Sequence, residues 1–278
     1  MTMSHDNAPR ASIIVNSFNP GNSGRIRAMT ELAIRCYKDY TRIPHELILV
    51  DGADGEDQAL RTICDQLGYR YLHLGRRLTF AQGYNAGLRA SIAPWRVIAA
   101  SDIFVVSGWL EALLSAAERT GAWMVSPYLS QSDYPAQRRG FVFAHRTFVP
   151  DFLTFNLNLI SSRCFETVGL VDEQFSGCFN DIDYALRIRE KGGEIALAYC
   201  GDITHLGRGT LGLEGVAAMV TRDRPLFEAK WPDIWDDNTL YLRTRGGLKG
   251  LLLRTISILP NSAKRQALTL IRRLEPLL

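Results

Sequence analysis

The stretch ASIIVNSFNPGNS, residues 11–23, decides the fold class, because a buried strand passes there directly into a turn. The segment 11–18 is rich in apolar and β-branched side chains, and the run NPGN at 19–22 ends the strand. Ser23 is then placed to cap a helix over 24–40, whose apolar residues recur on one stripe. A strand, a short turn and an amphipathic helix form the repeating unit of an α/β protein.

The same alternation of strands and helices continues as far as residue 120. Strands are predicted at 45–55, 70–74 and 95–101, and helices at 56–67, 79–90 and 107–119, the last beginning at Ser107. This spacing indicates βαβ units and a largely parallel sheet. Ligands bind beyond the carboxyl ends of the strands in such sheets, so one rim is expected to gather Ser17, Asn19, Asp51 and Asp102.

The pattern changes after residue 121. Strands are predicted at 122–126, 140–147, 153–160 and 193–199, with one strong helix over 181–191. Because no linker separates the two halves, the second half is expected to complete the same sheet. Residues 127–151 contain Pro, Ser and Gln and are the best candidate for a mobile loop over a cleft.

Composition and charge narrow the class of protein. The 278 residues are 46% apolar and 22% charged with a net charge of +3, an ordinary globular composition that gives no reason to expect nucleic-acid binding. The five cysteines are scattered and never in a CxxC spacing, so neither a disulfide framework nor a zinc cluster is favoured. The polar N-terminus lacks the apolar core of a signal peptide, and no apolar run approaches the roughly 20 residues that span a bilayer. A cytoplasmic protein is therefore expected.

Residues 241–278 form a basic tail that mixes Leu and Ile stripes with Lys and Arg. It carries eight basic residues and one acid, which leaves the first 240 residues at about −4. Pro260 divides it into two short amphipathic helices. Peripheral contact with the inner face of the cell membrane is one interpretation, and packing on the rest of the chain or at a dimer interface is the other. Oligomeric state stays open.

Several candidate site residues follow predicted strands. Asp51 stands before a glycine, where an aspartate is a common turn-former as well as a candidate ligand contact. Asp102 ends a strand between bulky apolar residues, and a buried carboxylate needs a partner or a metal. His205 precedes a glycine-rich turn. A lone histidine there is usually structural, but beside converging carboxylates it would be a ligand of an oxygen-rich metal site.

The stretch CFNDIDYALRIREKG, 178–192, places Asp181 and Asp183 where a polar segment turns into an amphipathic helix. A helix start stabilises carboxylates by about 0.3–1 kcal/mol, so both acids could simply cap the helix. Asp183 has Arg187 four residues on, which predicts an intrahelical ion pair and a positioning role. Asp181 is not followed by a basic residue four positions on, and it is the better candidate for a general base.

Read in order, the motifs resemble those of the inverting family 2 glycosyltransferases of GT-A fold, the group that builds bacterial surface polysaccharides. The segments that carry the resemblance are SIIVNSFN (12–19), ELILVDGADG (46–55), FAQGYNAGL (80–88), VIAASDIFVVSGWLEALL (97–114), CFETVGLVDEQFSGCFNDIDYALRIREKG (164–192) and IALAYCGDITHLG (195–207). The resemblance covers roughly residues 11 to 210. It implies an α/β GT-A fold with a single Rossmann-like mixed sheet flanked by helices, followed by a C-terminal helical extension.

The implied reaction moves a glycosyl group from a nucleotide sugar to an acceptor hydroxyl with inversion at the anomeric carbon. Asp181 would be the catalytic base, and Asp102 with His205 would hold a divalent metal, Mg²⁺ or Mn²⁺, against the leaving diphosphate. The sequence departs from the family at two points. Only the last acid of the DxD motif is present, in ASD at 100–102, and Asn180 stands where the family has Glu, so the site is less acidic.

The resemblance also implies a nucleotide pocket and an acceptor pocket. Nucleotide contacts are expected from Ser17, Phe18, Asn19, Asp51, Gly83 and Asn85. Asp51 would accept from the N–H of a base in a UDP-, dTDP- or GDP-linked donor. For Gly83 and Asn85, helix packing is a nearly equal explanation. Acceptor contact or positioning is expected from Trp109, Asp183 and Arg187, although a Trp at a helix start is as often a core residue.

The chain is therefore divided into a flexible N-terminus 1–10, a catalytic domain 11–240 and the basic tail 241–278. Within the catalytic domain, 11–120 would bind the nucleotide and 121–240 the saccharide or lipid-linked acceptor. Two rival functions stay open: a non-catalytic nucleotide-sugar-binding module and a sugar-1-phosphate nucleotidyltransferase. The second should carry a dense Gly-rich, basic phosphate signature after its first strand, and NSFNPGNSGRIR at 16–27 lacks that density.

Overall fold

A computed structural model of the protein describes residues 8–19, 21, 23–132, 137, 152–207 and 213–231. The strands are β1 Ala11–Ser17, β2 His45–Asp51, β3 Arg70–His73, β4 Trp95–Ala100, β5 Ile103–Phe104, β6 Met124–Pro127, β7 Leu157–Ser161, β8 Ile195–Ala198 and β9 Thr204–His205. The helices are α1 Gly24–Tyr40, α2 Gln58–Leu67, α3 Phe80–Ala90, α4 Trp109–Thr120, α5 Ser162–Val168, α6 Asn180–Glu190 and α7 Leu213–Lys230.

Seven of these strands form one mixed sheet in the order β3-β2-β1-β4-β7-β6-β8. The strands β1 to β4 pair in parallel, whereas β7 runs antiparallel to both β4 and β6. Strands β5 and β9 form a separate two-stranded ladder. The prediction of an α/β fold with one mixed sheet completed by the second half is confirmed.

Side chains on β1 alternate between two apolar cores, one on each face of the sheet. Ile13 and Val15 join the core that includes side chains of α1, α2 and α4. Ile14 joins the core that includes side chains of α3, α5 and α6. Because both faces of the sheet are covered, every residue of β1 is buried, and the centre of the strand is apolar.

Helix starts differ from the sequence prediction at two places. Ser23 precedes α1, but its side chain makes no capping hydrogen bond, and its backbone N–H donates to Oδ1 of Asn19 at 2.8 Å instead. Helix α4 begins at Trp109 after Gly108, whose φ of 82° suits glycine, so Ser107 is not its cap. Helix α3 begins as predicted, with Thr79 and Gln82 forming a capping box.

The later elements were predicted less well. Strands β6, β7 and β8 occur at 124–127, 157–161 and 195–198, within a few residues of their predicted positions, whereas α5 and α7 were not predicted. The strand predicted at 140–147, most of the loop 127–151, most of the N-terminus 1–10 and the whole tail 241–278 lie outside the described residues. Among the residues that are described, no helix is long and apolar enough to cross a membrane.

Candidate active site

Asp102 and His205 meet at the carboxyl-end rim of the sheet. The β5–β9 ladder pairs Ile103 with His205, and the backbone N–H of Leu206 donates to the Asp102 carbonyl at 3.2 Å. As a result, Nε2 of His205 lies 3.5 Å from Oδ1 of Asp102. Two residues that are distant in sequence, both predicted as metal ligands, are therefore neighbours in the fold.

The ring of His205 is held in one tautomer. Its Nδ1 atom lies 2.9 Å from the carbonyl oxygen of Gln131, which can only accept, so Nδ1 carries the hydrogen. The backbone of His205 is fixed as well, since its N–H donates to Oγ of Ser130 at 2.9 Å. In the neutral ring, Nε2 is left with a lone pair that faces Asp102, which is the usual arrangement of a metal-ligating histidine.

A carboxylate and an imidazole lone pair fit a divalent cation such as Mg²⁺ or Mn²⁺. The described part of the chain contains no cluster of three or more His, Cys, Asp or Glu side chains that could hold a metal by itself. Such a cation would therefore need further oxygen ligands from substrate phosphates or water, which is how Mg²⁺ is commonly bound.

Asp181 lies in the first turn of α6, where its backbone N–H donates to Oδ1 of Asn180 at 3.1 Å. Its own Oδ1 accepts from the N–H of Ile182 at 2.9 Å, and the helix start favours the ionised form. Burial raises the pKa of the nearby Tyr84 hydroxyl, and the charges of Asp102 and Asp181 raise it further. The charges of the candidate base and of the candidate metal ligand thus act on the same buried hydroxyl.

Asp183 is fully buried, and its carboxylate is bonded to other side chains of the protein. Its Oδ2 accepts from Nε of Arg187 at 2.9 Å, which confirms the predicted i,i+4 ion pair. Its Oδ1 accepts from Nε1 of Trp231 at 2.9 Å and lies 2.6 Å from Nζ of Lys230. Through these contacts Asp183 ties α6 to the end of α7, and its positioning role stays a prediction.

Asp51 lies at the rim as predicted, but its carboxylate is already engaged. Oδ1 accepts from the N–H of Ala53 at 3.0 Å, and Oδ2 accepts from the N–H of Asp57 at 3.1 Å and from the hydroxyl of Tyr71. The side chain is buried, so its visible role is to shape the turn after β2. Oδ1 accepts from a single donor and keeps one further accepting position.

The residues after β1 border the same rim, mainly through main chain. Ser17 is fully buried, with its hydroxyl 3.1 Å from that of Thr30, and its carbonyl accepts from the N–H of Gly52 at 2.8 Å. Asn19 is bonded to the backbone of Ser23 through both amide atoms. Phe18 is half-buried, and the Arg77 guanidinium lies 4.8 Å from its ring centroid. Of these three predicted contacts, Phe18 alone has an accessible side chain.

Gly83 and Asn85 serve packing within the fold. A Cβ atom at Gly83 would come within 3.0 Å of the Asn16 amide atoms, so the glycine lets α3 approach β1. The Asn85 amide donates to the Val171 carbonyl and to Glu173, both at 2.8 Å, and its Oδ1 accepts from the Val171 N–H at 2.9 Å. These contacts favour the helix-packing alternative, and the nucleotide role of the two residues stays a prediction.

Trp109 is a core residue rather than an acceptor platform. Its side chain is fully buried, packs edge-on against Tyr37 with ring centroids 5.6 Å apart, and donates from Nε1 to Oγ1 of Thr41 at 3.0 Å. Because no face of the indole reaches solvent, the predicted stacking on an acceptor sugar is corrected.

Sequence reasoning missed the residues that face this region from α7 and from the position directly after it, namely Asp223, Phe227, Lys230 and Trp231. Their i, i+4, i+7, i+8 spacing is the signal that could have found them, but Pro225 lies inside the pattern and obscures it. Gln131 was missed as well. It fixes the His205 ring through its backbone carbonyl, and a main-chain contact leaves no pattern in the sequence.

The family model described as Glycosyl transferase family 2 matches residues 12–168. That range runs from β1 to the end of α5, so it includes Asp102 but neither Asp181 nor His205. No curated protein gives a significant sequence match to the chain.

Among solved structures, the fold is similar to that of GalNAc-T7 in a crystal structure with UDP, GalNAc and Mn²⁺. The TM-score is 0.60 at 14% sequence identity, and the alignment covers 91% of this chain and 52% of GalNAc-T7. The chain thus spans about half the length of that neighbour. At this identity the likeness concerns the fold, which is of GT-A type.

Proposed function

Because the chain belongs to glycosyl transferase family 2, we propose that it is an inverting glycosyltransferase acting on a nucleotide-sugar donor. The acceptor would be a hydroxyl of a saccharide or of a lipid-linked saccharide in surface polysaccharide biosynthesis. The observation that carries this proposal is the Asp102–His205 pair at the sheet rim, with the ring of His205 oriented by a backbone carbonyl. An imidazole nitrogen and a carboxylate oxygen side by side at the end of the strands suit two ligands of one divalent cation.

Asp181 is the proposed catalytic base. The acceptor oxygen forms a bond to the anomeric carbon while the bond from that carbon to the diphosphate breaks, and the acceptor proton passes to the Asp181 carboxylate. The transition state is oxocarbenium-like, as in glycoside hydrolysis. Asp181 lies in the first turn of α6, where the helix dipole favours a carboxylate and so suits a general base.

Asp102 and His205 are the proposed ligands of a divalent metal, Mg²⁺ or Mn²⁺. When bound, such a metal would supply positive charge to the leaving diphosphate as a Lewis acid. Whether or not the metal is bound, the main chain beyond β1 and the turn after β2 would border the nucleotide. Phe18 and Arg77 would lie at the edge of the nucleotide. Asp51 shapes this turn and would accept from the N–H of the base through the remaining accepting position of Oδ1.

The acceptor side is proposed to lie towards α6, where Asp183 and Arg187 fix the helix that carries Asp181. A lipid-linked acceptor would suit contact of the tail 241–278 with the inner face of the cell membrane. The division into a nucleotide-binding half 11–120 and an acceptor-binding half 121–240 belongs to the same proposal.

The test is to identify the product released from a panel of UDP-, dTDP- and GDP-sugars by the purified full chain with Mn²⁺. GalNAc-T7 was crystallised with UDP and Mn²⁺, so UDP-sugars are the first donors to try. Release of a nucleoside diphosphate, abolished in Asp181→Asn, supports a glycosyltransferase. Release of pyrophosphate from a sugar phosphate and a nucleoside triphosphate would identify a nucleotidyltransferase. Nucleotide binding without turnover on any donor would indicate a non-catalytic binding module.

A further inference from the structure

One face of α7 packs along the segment 175–183, which leads into the candidate base. The side chains on this face follow the i, i+4, i+7, i+8 spacing of a helical stripe: Asp223, Phe227, Lys230 and Trp231. Each of them contacts the segment 175–183 through its side chain. All four lie beyond residues 12–168, so this contact is outside the part of the chain that the family model matches.

The most specific of these contacts is made by Asp223, which is fully buried. Its Oδ2 accepts from the backbone N–H groups of Ser176 at 2.9 Å, Gly177 at 3.1 Å and Cys178 at 3.0 Å. The Ser176 hydroxyl donates to Oδ1 at 2.9 Å, and Nε of Arg222 lies 3.9 Å from the same oxygen. Successive N–H groups that converge in this way form a nest for an anion, and here the chain's own carboxylate fills it.

The backbone around this nest is adapted to the approach of α7. A Cβ atom at Gly177 would come within 3.0 Å of both Sδ of Met219 and a ring carbon of Phe80, so only glycine fits between α7 and α3. The next turn contains Phe179, whose φ of 65° is the only positive value at a non-glycine residue in the described chain. A bulky residue in this conformation persists only where its surroundings hold it.

Phe227 and Lys230 hold the following turn. The Phe227 ring stacks on that of Phe179, with centroids 5.1 Å apart and an interplanar angle of 27°. Nζ of Lys230 lies 2.6 Å from Oδ1 of Asp183 and 2.6 Å from Oδ2 of Asp172. Two residues after Phe179, and two before Asp183, comes Asp181. The candidate base is therefore bracketed on both sides by residues that α7 fixes.

We propose that α7 positions the catalytic base, with Asp223 and Phe227 as positioning residues that act on Asp181 through the segment 176–180. This inference rests on the proposed function, because it assumes that Asp181 takes the acceptor proton. None of the four α7 side chains has to touch substrate for this role. Their effect is to fix where α6 begins, and hence where its first carboxylate points. A misplacement of a reacting group by about 1 Å can lower a rate by about 100-fold. Side chains that never touch the substrate can therefore control turnover.

The test compares Asp223→Asn and Phe227→Leu with a matched control, Glu46→Gln. Glu46 also accepts several hydrogen bonds, from the Ser12 hydroxyl and the Ile92 N–H, but at the opposite edge of the same sheet. For each variant, kcat and KM for the donor are measured with the nucleotide sugar that the wild-type protein turns over best, and thermal unfolding is recorded with and without the matching nucleoside diphosphate.

A positioning role predicts that Asp223→Asn and Phe227→Leu lower kcat about 10- to 100-fold while KM for the donor and the nucleotide-induced shift stay near wild type. Glu46→Gln should lower the melting temperature without lowering kcat. If Asp223→Asn does not fold, the same measurements are made on Phe227→Leu and on the milder variant Ser176→Ala. Amide hydrogen exchange provides a second readout, in which 176–183 should exchange faster in Asp223→Asn than in Glu46→Gln.

Wild-type kcat in folded Asp223→Asn and Phe227→Leu, with only a lower melting temperature, would overturn the inference and leave the proposed function intact. A parallel loss of donor affinity and kcat would also overturn it, since α7 would then support the whole site. If the wild-type protein turns over no donor at all, the proposed function fails instead. The exchange pattern then reports only how α7 holds the segment.

Discussion

Nε2 of His205 and Oδ1 of Asp102 lie 3.5 Å apart, held there by the β5–β9 ladder and by the carbonyl of Gln131. A nucleoside diphosphate together with Mn²⁺ should therefore raise the melting temperature more than the nucleotide alone. Asp102→Asn and His205→Gln should abolish the metal-dependent part of the shift. At a hundredfold excess over Kd, binding to the folded state stabilises by about 2.7 kcal/mol, which a thermal-shift measurement resolves.

Asp65→Asn is the control for that measurement, since Asp65 is an exposed acid on α2 and should leave the shift unchanged. Removal of the metal with EDTA should reproduce the effect of Asp102→Asn in the wild-type protein. Equal shifts with and without Mn²⁺ in the wild-type protein would argue against a metal at this pair.

Asp181→Asn should keep the nucleotide-induced thermal shift and lose turnover. An asparagine keeps the size of the side chain but cannot accept the acceptor proton, and general bases contribute about 10²- to 10⁴-fold to rates. The measurement is kcat from nucleoside diphosphate release. By contrast, Asp183→Asn leaves Arg187 and Lys230 without their buried partner and should reduce the free energy of unfolding as well as kcat. Turnover that survives Asp181→Asn would remove it as the base.

The parts of this structure that sequence could predict are those with a local physical signal. Apolar periodicity and turn residues located β1, α1 and β2, and the i,i+4 spacing located the Asp183–Arg187 pair. Proximity of Asp102 and His205 has no local signal, because only the β5–β9 pairing brings them together. That prediction came from the order of the motifs.

The role of a polar helix residue is hard to assign from sequence. A polar residue on a helix can bind a ligand or can tie distant parts of the chain, and its own neighbours do not distinguish the two. Asn85 is bonded to Val171, a residue that only tertiary folding brings near it. Asp223 is similar, since its three backbone donors lie at 176–178. In both cases the buried amide N–H groups had to be satisfied by some acceptor, but the sequence does not specify which one.

Trp109→Phe should lower the free energy of unfolding by about 1–3 kcal/mol, because the buried Thr41 hydroxyl loses its partner at 3.0 Å. The KM for the acceptor should not change, since the indole is fully buried. Urea unfolding and acceptor titration check the two statements. A raised acceptor KM with unchanged stability would restore the acceptor-stacking role for this residue.

His45 should make stability depend on pH far from the site. Desolvation lowers the pKa of its imidazole below the ordinary 6.5, with Lys38 adding to this and the Ile43 carbonyl opposing it. The folded state therefore prefers the neutral ring. Its stabilising contribution is complete above 6.5 and is lost as the pH falls from 6.5 through the folded pKa. Urea unfolding from about pH 8 to about pH 5 should show the difference between wild type and His45→Gln shrinking on acidification.

Gly83→Ala should destabilise the protein, although alanine normally stabilises a helix interior by about 0.5–1 kcal/mol relative to glycine. The new Cβ would lie within 3.0 Å of the Asn16 amide, and overpacking of this kind costs about 1–3 kcal/mol. In an Asn16→Ala background the clash is gone, so the same substitution should become neutral or stabilising. Gly87→Ala is the control, because it clashes with Ile14 and Asn16→Ala should not rescue it.

The same double-mutant cycle decides between packing and nucleotide contact at Gly83. If the glycine is needed only for the approach of α3 to β1, Asn16→Ala/Gly83→Ala should show the nucleotide-induced thermal shift of Asn16→Ala alone. If instead a diphosphate approaches the backbone at Gly83, the added methyl group obstructs it whether or not Asn16 is truncated. The shift would then fall in the double variant while its stability in the absence of nucleotide is restored. Because the Asn16 amide already occupies the space beside Gly83 and donates to the Phe80 carbonyl at 3.3 Å, we expect the first result.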